Sequence, residues 1–470
     1  MIRLRIAGLA VALLLVADIG SARAGDLTQR SDSLTGVEMI SEDAVPDSPA
    51  CAGRDTQVEP DVSIDPTSNQ DVVAVFQEGR CTRGYFGGSL GIGYARSQDG
   101  GLTWNGSTFS DTHKTGGPFD RASDPAVAFG PDGSVYVVGI GFDTRTGCRS
   151  SVLFHASTDG GKTFGRRVLV QDDTCRAFND KPWIAVDEYA HSPFLGRIYV
   201  VWGRQTQFSV GLDVVLRYSD DGGATWSHLI YVTPKDASGD DAIPLIEPDG
   251  HLVVVYQENF PSGPVEAQMS TDGGRIFSNA SRVARIHATV PADLAALAVP
   301  SATVDPVTGT LYMAWQDGRF RTDDLNDAVI VSSDDESLTW SSPHVVNPPT
   351  DANLLTPAVA AWGGVVHVSY LYRSTNASGN GRHQISLRYV ASQDGGATFG
   401  TPIRLGAPGD LTFADTTPQG QAFLGDYMGL AAGSDAVHAV WCRPFEESRS
   451  VSKAPRHQAA WTATVLPSAE

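Results

Sequence analysis

The chain has 470 residues, a formal net charge of −20, 41% hydrophobic residues and 19% charged residues. This apolar content is enough for a sizeable core and excludes global disorder, whereas the acidic balance repels phosphate and argues against binding to nucleic acid or anionic lipid. The 49 glycines and 27 prolines indicate many turns, and therefore short strands rather than long helices.

Residues 1–24 have the pattern of a secretory signal peptide. Arg3 and Arg5 precede an apolar run over residues 6–17, and Ala22 and Ala24 form a small-x-small cleavage site. No later apolar run is long enough to span a bilayer. We therefore expect a secreted or periplasmic protein that begins at Gly25 and has no membrane attachment once the signal is removed.

An exported chain can hold disulfides, and this one has five cysteines. The simplest pairing by proximity joins Cys51 with Cys81 and Cys148 with Cys175. Cys442 is left over in an apolar run, so we expect a buried, inert thiol there.

Six segments share the pattern Ser-x-Asp-Gly-Gly-x-Thr-Trp or a close variant, and they recur about every 60 residues. They cover residues 97–104, 157–164, 219–226, 270–277, 333–340 and 392–399. The pattern predicts a β-turn in which the Asp accepts backbone N–H bonds, the glycines take positive φ and the aromatic ring packs into a sheet. Glu336 and Ser337 replace the glycines of the fifth copy, so we expect a less regular turn there.

A second repeat opens an apolar strand, followed by a turn and a second, β-branched strand. The openings are Glu59-Pro60, Asp124-Pro125, Lys181-Pro182, Ile243-Pro244, Val299-Pro300, Thr356-Pro357 and Asp426-Tyr427. Together with the strands around each turn segment they predict four-stranded units, which form a β-propeller when repeated radially. We predict an all-β propeller over residues 57–466 with seven blades; six blades with an appended sheet are the alternative. Residues 25–56 are an N-terminal extension whose stretch 34–40 would supply the closing strand, next to a third strand at 458–465.

The six turn segments match the Asp box, or BNR repeat. Over nearly all of its mature length the chain resembles the bacterial sialidase-like branch of the Asp-box β-propeller superfamily. The resemblance implies that the Asp boxes are structural and lie on the face opposite the active site. The chain departs from the family at Val58-Glu59-Pro60, where sialidases carry the Arg-Ile-Pro motif that supplies one of three arginines for the substrate carboxylate. The family's Tyr nucleophile can be transferred only loosely, to Tyr427.

Strand direction places the starts of the first strands and the ends of the second strands on the face opposite the Asp boxes, near the axis. Polar side chains at these positions are our candidate site. The candidate catalytic residues are Asp124, Tyr427, Asp426 and Glu59, and the candidate substrate-binding residues are Arg121, Asp180, Lys181, Arg319 and Arg373. Glycoside cleavage needs a proton donor, here Asp124, and a base or nucleophile, here Tyr427, while arginines orient the substrate.

These features favour a secreted, sialidase-like glycoside hydrolase that acts on extracellular glycans. A non-catalytic propeller that binds a glycan or a protein is the alternative, and the missing Arg-Ile-Pro motif favours it. A polysaccharide lyase is the second alternative, with Tyr427 as the base. We expect a monomer whose partner is a carbohydrate or another extracellular ligand. We expect no cofactor and no metal, because the eleven histidines show no metal-ligand spacing.

Overall fold

The computed structural model describes residues 33–42, 56–81, 87–144, 148–207, 209, 211–234, 238–258, 263–375, 383–446 and 457–466. These residues form thirty β-strands and one short 3₁₀ helix, Leu411–Phe413, so the fold is all-β as predicted. No helix in this part of the chain is long and apolar enough to cross a membrane. The predicted signal peptide, residues 1–24, lies outside the described residues.

The strands pair antiparallel in sets of four, and a single residue pair, Ser89 with Ala122, joins the first two sets into one sheet. The first set is β2 (Gln57–Asp65), β3 (Ser68–Arg80), β4 (Ser89–Ser97) and β5 (Asn105–Thr108). The second set is β6 (Arg121–Phe129), β7 (Val135–Phe142), β8 (Arg149–Ser157) and β9 (Val168–Thr174). The third set is β10 (Ala177–Val186), β11 (Ile198–Thr206), β12 (Asp213–Ser219) and β13 (Ile230–Tyr231).

The later sets repeat this order. The fourth set is β14 (Gly239–Ile246), β15 (Leu252–Glu258), β16 (Pro264–Ser270) and β17 (Ser281–Arg285). The fifth set is β18 (Ser301–Val304), β19 (Leu311–Asp317), β20 (Asp327–Ser333) and β21 (His344–Val345). The sixth set is β22 (Ala352–Trp362), β23 (Val365–Ser374), β24 (Gln384–Ser392) and β25 (Ile403–Asp410). The last set is β28 (Gly429–Ala432), β29 (Val437–Pro444), β30 (Gln458–Leu466) and β1 (Ser33–Met39), and β26 (Asp415–Thr416) pairs separately with β27 (Ala422–Phe423).

The hydrophobic core lies between successive sets. The second strand of each set is central and rich in β-branched residues, so it buries both faces; β15 is an example. One apolar cluster joins the second and third sets through Val138 and Trp202, and another joins the last and first sets through Val440 and Val72. The protein is a β-propeller, and we propose that each of the seven sets in the described residues is one blade.

The N-terminal strand β1 pairs antiparallel with β30 and is the outer strand of the last set. Just after it, the backbone N–H of Ile40 donates to the carbonyl of Ala460 at 2.9 Å. The hydroxyl of Ser41 accepts from the Ala460 N–H and donates to the Gln57 side chain, both at 3.1 Å. Residues from near the two ends of the described chain therefore meet beside the first set.

Each Asp box forms the turn between the third and fourth strands of its set. In the third box, the Ser219 hydroxyl donates to Asp221, whose carboxylate also accepts from the N–H and hydroxyl of Thr225 at 2.8 and 2.6 Å. The fifth box keeps the same turn and is only slightly less regular. Asp335 accepts the same two bonds from Thr339 at the same distances, because Glu336 and Ser337 adopt the positive φ that glycine has elsewhere. The bonds of the Ser333 hydroxyl to Asp335 and to the Ser337 N–H are longer, 3.0 and 3.1 Å against 2.7 and 2.9 Å in the third box.

The described cysteines confirm one of the two predicted disulfides and the predicted buried thiol. Cys148 and Cys175 form a disulfide, and Cys442 is a free, buried thiol. Burial raises the pKa of that thiol well above its usual value, so it is unreactive. Cys81 is disulfide-bonded, but its predicted partner Cys51 lies outside the described residues.

Candidate functional site

A central cavity of about 180 Å³ is lined by the first strand, or the residues just before it, from every described set. The wall includes Asp61, Asp124, Lys181, Asp241, Ser301, Pro357 and Tyr427. The axis of the ring therefore carries a pocket at the position that the sequence analysis favoured for a site.

Five first strands bulge at the same level, and in each bulge one residue takes a positive φ. These residues are Glu59 (53°), Asp124 (53°), Lys181 (43°), Asp241 (53°) and Thr356 (47°). A bulge re-aims its side chain, and a left-handed conformation outside glycine is strained, a condition that clusters at functional sites. Three of the five residues, Asp124, Lys181 and Asp241, line the cavity.

Lys181 is the one basic residue on the cavity wall in the part of the chain that the structure describes. Its Nζ lies 2.8 Å from Oδ1 of Asp241 and 3.2 Å from Oδ2 of Asp426. Burial by itself would lower the pKa of Lys181, but the surrounding carboxylates, with Asp241 and Asp426 foremost and Asp240 and Glu59 after them, together hold the pKa well above its usual value. Lys181 is therefore a fixed positive charge, and it opposes the upward effect of burial on the pKa of Asp241.

Asp124 and Glu59 are hydrogen-bonded to each other. Burial, followed by the charges of Glu59 and Asp180, raises the pKa of Asp124 well above its usual value. Burial and the charge of Asp426 also raise the pKa of Glu59. Two buried carboxyl groups in contact cannot both ionise at low cost, so the pair favours one shared proton, and the stronger rise in pKa favours Asp124 as the group that carries it.

Gln77, on the second strand of the first set, fixes the orientation of Glu59. Its amide nitrogen donates to the Glu59 carboxylate and, at 2.8 Å, to the hydroxyl of Ser123. Its amide oxygen accepts from the Ser89 hydroxyl at 2.6 Å and from Arg80 at 3.1 Å. Because Gln77 is fully buried and all four bonds are made, Glu59 is held rigidly beside Asp124.

Asp61 and Asp180 add two further carboxyl groups. Oδ2 of Asp61 accepts from the backbone N–H of Val127 at 2.9 Å, but burial outweighs this bond and raises the pKa of Asp61 to about 7. Burial also raises the pKa of Asp180, and Lys181 partly offsets the increase. The site is thus a compact acidic cluster around a single ammonium group.

Tyr427 is brought to the cavity but is held as a neutral phenol. Its hydroxyl donates to the carbonyl of Pro125 at 2.9 Å, and its ring meets that of Trp183 edge to face at 5.1 Å. Burial, and then the neighbouring carboxylates, raise its pKa well above 10. This environment disfavours the phenolate that a nucleophile or a base requires.

The three candidate arginines do not line the cavity. Arg121 donates to the carbonyl of Asp120 at 2.9 Å. Arg319 contacts Asp317 at 2.8 Å, and Arg373 contacts Asp293 at 2.6 Å. The structure therefore brings together Glu59, Asp124, Asp180, Lys181, Asp426 and Tyr427, and it places Arg121, Arg319 and Arg373 elsewhere.

Asp241 and Asp61 line the cavity but are absent from the predicted site residues. Both residues stand at predicted first-strand starts, where polar side chains are expected at the axial rim, but that rule alone does not rank them above their neighbours. The bulge of β14 lies at Asp241 and Ala242, whereas the strand-opening proline of this repeat is Pro244. Asp61 directly follows Pro60, and its sequence alone distinguishes it little from the other polar residues of these strands.

The family model for the BNR/Asp-box repeat matches residues 217–228, which contain the third Asp box. In the structure this segment forms the bonded turn described above for Ser219 and Asp221, and the other five boxes close in the same manner, except that the fourth box has Ile276 in place of Thr and lacks the hydroxyl bond. The protein is an Asp-box β-propeller. No curated protein matches the chain.

Several solved structures are similar to this Asp-box propeller at low sequence identity. A polysaccharide lyase of family PL25, an ulvan lyase, aligns with a TM-score of 0.52 and 12% identity over 93% of this chain and 96% of the lyase. An α-L-arabinofuranosidase from Fusarium graminearum aligns with a TM-score of 0.48 and 16% identity over 76% and 97% of the two chains. A Hadza microbial sialidase aligns with a TM-score of 0.48 and 15% identity over 68% of this chain and 65% of the sialidase. The likeness to the lyase supports the fold of the Asp-box propeller.

Proposed function

We propose that this Asp-box propeller is a glycoside hydrolase that cleaves uncharged glycan chains outside the cytoplasm. The observation that carries the proposal is the contrast between two carboxyl groups in one cavity. Burial and the neighbouring acids raise the pKa of Asp124 well above its usual value and favour its protonated form. Burial also raises the pKa of Asp241, but Lys181, 2.8 Å away, offsets part of that rise and favours the carboxylate there. Glycoside cleavage requires such a pair, one group to give a proton and one ionised.

In this mechanism Asp124 protonates the glycosidic oxygen, which leaves with the departing sugar. Asp241 acts on the other side of the bond, either as the base that takes a proton from the attacking water or as the nucleophile at the anomeric carbon. Trp183 and Tyr427 offer ring surface on the cavity wall against which a sugar packs. Glu59 does not react; it keeps Asp124 protonated and in place.

The charge of the cavity favours an uncharged substrate over a sialoside. Lys181 already contacts two carboxylates, and Arg121, Arg319 and Arg373 do not reach the wall. A substrate carboxylate would therefore meet several acidic groups and no unpaired cation on the described wall. Export is supported by the disulfide between Cys148 and Cys175, since such bonds persist in oxidising compartments.

The test is hydrolysis of arabinan, other neutral polysaccharides and a fluorogenic sialoside by the chain from Gly25. We expect turnover of a neutral glycan, and a loss of kcat of at least ~10²-fold for both Asp124→Asn and Asp241→Asn. Asp132→Asn is the matched control, because Asp132 is exposed on a turn of the second set. The product anomer, read by NMR, assigns Asp241 as base or nucleophile.

The alternative functions predict different outcomes, which the same substrates and a thermal unfolding measurement distinguish. Sialoside hydrolysis would contradict the uncharged substrate. Products that absorb in the ultraviolet would indicate a lyase. Thermal protection by a glycan without any turnover would leave a binding propeller and overturn the hydrolase.

A further inference from the structure

A second polar cluster lies on the Asp-box side of the molecule, between the fourth and fifth sets. Glu247, Asp249 and His251 belong to the tight turn that joins β14 to β15, and Glu336 belongs to the fifth Asp box. We propose that these four side chains bind one divalent transition-metal ion, of which Zn²⁺ is the representative. The ion would fasten one set to the next.

The geometry of the cluster suits a shared cation. One ligand atom each from Glu247, Asp249 and His251 lies within 4.8 Å of the other two. Nδ1 of His251 is 3.0 Å from Oδ2 of Asp249 and 3.3 Å from Oε2 of Glu336. Ligands held about 2.1 Å from a zinc ion are separated by roughly 3 to 3.4 Å. The two His251 distances already match this separation, and an ion would draw the Glu247 carboxyl group closer from within the 4.8 Å limit.

Glu247 provides an independent indication of a ligand. Its side chain is buried, with 5% of its surface exposed, and its Oε2 atom accepts no hydrogen bond. A buried carboxylate oxygen without a partner is costly, because it has lost water and gained nothing in return. Glu247 belongs to the same cluster as Asp249 and His251, where a bound cation would compensate its buried carboxyl group.

The fifth Asp box departs from the other five in a way that the cluster explains. Glu336 holds φ at 57° where the other boxes have glycine, although this conformation is unfavourable for a side-chain-bearing residue. In other boxes a cationic or imidazole side chain of the preceding set contacts a glycine carbonyl: Arg96 to Gly160, Arg197 to Gly273 and His344 to Gly396. At the fifth box the side chain from the preceding set is His251, and it contacts the carboxylate of Glu336 instead of a glycine carbonyl.

The donor set selects the class of metal. One imidazole nitrogen and three carboxylate oxygens suit Zn²⁺ or Mn²⁺ better than Ca²⁺, which prefers oxygen ligands alone. The site lies on the Asp-box side, away from the bulges of the first strands, so it is separate from the proposed catalytic residues. Its role is structural, since an ion bound only by the folded chain stabilises the fold.

The experiment measures binding of Zn²⁺ and Ca²⁺ to the chelator-treated chain from Gly25 by titration calorimetry and by thermal unfolding. We expect one Zn²⁺ per chain and a rise of a few degrees in Tm. Glu247→Gln, His251→Gln and Glu336→Gly should each weaken Zn²⁺ binding at least tenfold and remove most of the rise. Glu336→Gly restores the residue found in the other boxes, so it keeps the test valid if another variant does not fold.

His191→Gln is the matched control, because His191 is an exposed histidine in the neighbouring set, and we expect it to bind Zn²⁺ like the wild type. Three results would overturn the proposal: no effect of Zn²⁺ on the wild type, equal Zn²⁺ binding by the three variants, or tighter binding of Ca²⁺ than of Zn²⁺.

Discussion

At the scale of single residues, burial is the main influence on the pKa of the carboxyl groups in the central cavity, and Asp61 shows this most simply. Its carboxylate receives a backbone hydrogen bond, yet its pKa rises to about 7 because burial dominates. A group whose pKa is higher in the folded state than in the unfolded state destabilises the fold once it must ionise. The contribution of Asp61 to the free energy of unfolding is therefore fully present below about pH 4 and is lost as the pH rises from about 4 to about 7.

We predict that Asp61→Asn stabilises the protein at high pH. The amide keeps an acceptor for the Val127 N–H but never ionises, so its advantage should be small at pH 4 and reach about 1–2 kcal/mol at pH 8, after discounting for partial exposure. Urea unfolding at both pH values measures this, with Asp132→Asn as the exposed control. An advantage that did not grow with pH would show that Asp61 is ionised without cost.

The residue-scale outcome also shows how far the sequence could predict the site. The rule that polar side chains at first-strand starts face the axis predicts Glu59, Asp124, Lys181 and Tyr427 correctly, because strand direction is encoded in the repeat, but it also chooses Arg121, which does not line the cavity. The rule for second-strand ends chose Arg319 and Arg373, which instead bind nearby carboxylates. Which partner a long side chain chooses depends on neighbours distant in sequence, so the repeat alone could not decide it.

At the scale of elements, the two glycine positions of an Asp box disfavour a side chain for different reasons. In the third box Gly222 and Gly223 have φ of 67° and 86°. A Cβ on Gly222 would lie 3.9 Å from its nearest neighbour, whereas one on Gly223 would approach the ring of Phe154 to 2.1 Å. Backbone strain is common to both positions, but steric overlap with the core belongs to the second alone.

We predict that Gly222→Ala costs about 1 kcal/mol of unfolding free energy and Gly223→Ala about 3 kcal/mol, the difference being the overpacking of Phe154. Chemical denaturation of the pair measures both values against the wild type. Equal losses would mean that the ring of Phe154 moves aside freely and that only the backbone conformation matters.

The same element-scale reasoning explains why the fifth box keeps its turn without glycine. Sequence patterns treat glycine as a requirement for positive φ, but the Asp335 carboxylate, with its bonds to Thr339, and the Ser333 bond to the Ser337 N–H enforce the turn without it. Likewise, the bulge of β14 forms at Asp241 without a following proline. Local strain that the surrounding sheet imposes leaves a weak sequence signal.

At the scale of the whole molecule, the fold was predictable because one four-stranded unit is repeated and every copy must bury its apolar surface in the same way. A single four-stranded set has two apolar faces and can bury them only against a set before and a set after it. The clusters between successive sets show this arrangement, and the last of them joins β29 and β30 to β3. Closing the ring therefore removes the two exposed faces that an open row of sets would leave.

The strand β1 is the last step of this closure, and we predict that its loss opens the ring. A chain that starts at residue 43 lacks the buried Ile40 and the Ser41 bonds to Ala460 and Gln57. The expected loss of unfolding free energy is about 4–5 kcal/mol, of which roughly 2–3 come from the Ile40 side chain and about 1 from each bond. It also leaves β30 as an unpaired edge that favours aggregation. Compared with a chain that starts at Ser33, the shorter chain should unfold at lower temperature and associate at high concentration, as measured by calorimetry and light scattering. If both chains unfold alike, the ring is held by the contacts of β29 and β30 with the first set, and β1 only covers an edge.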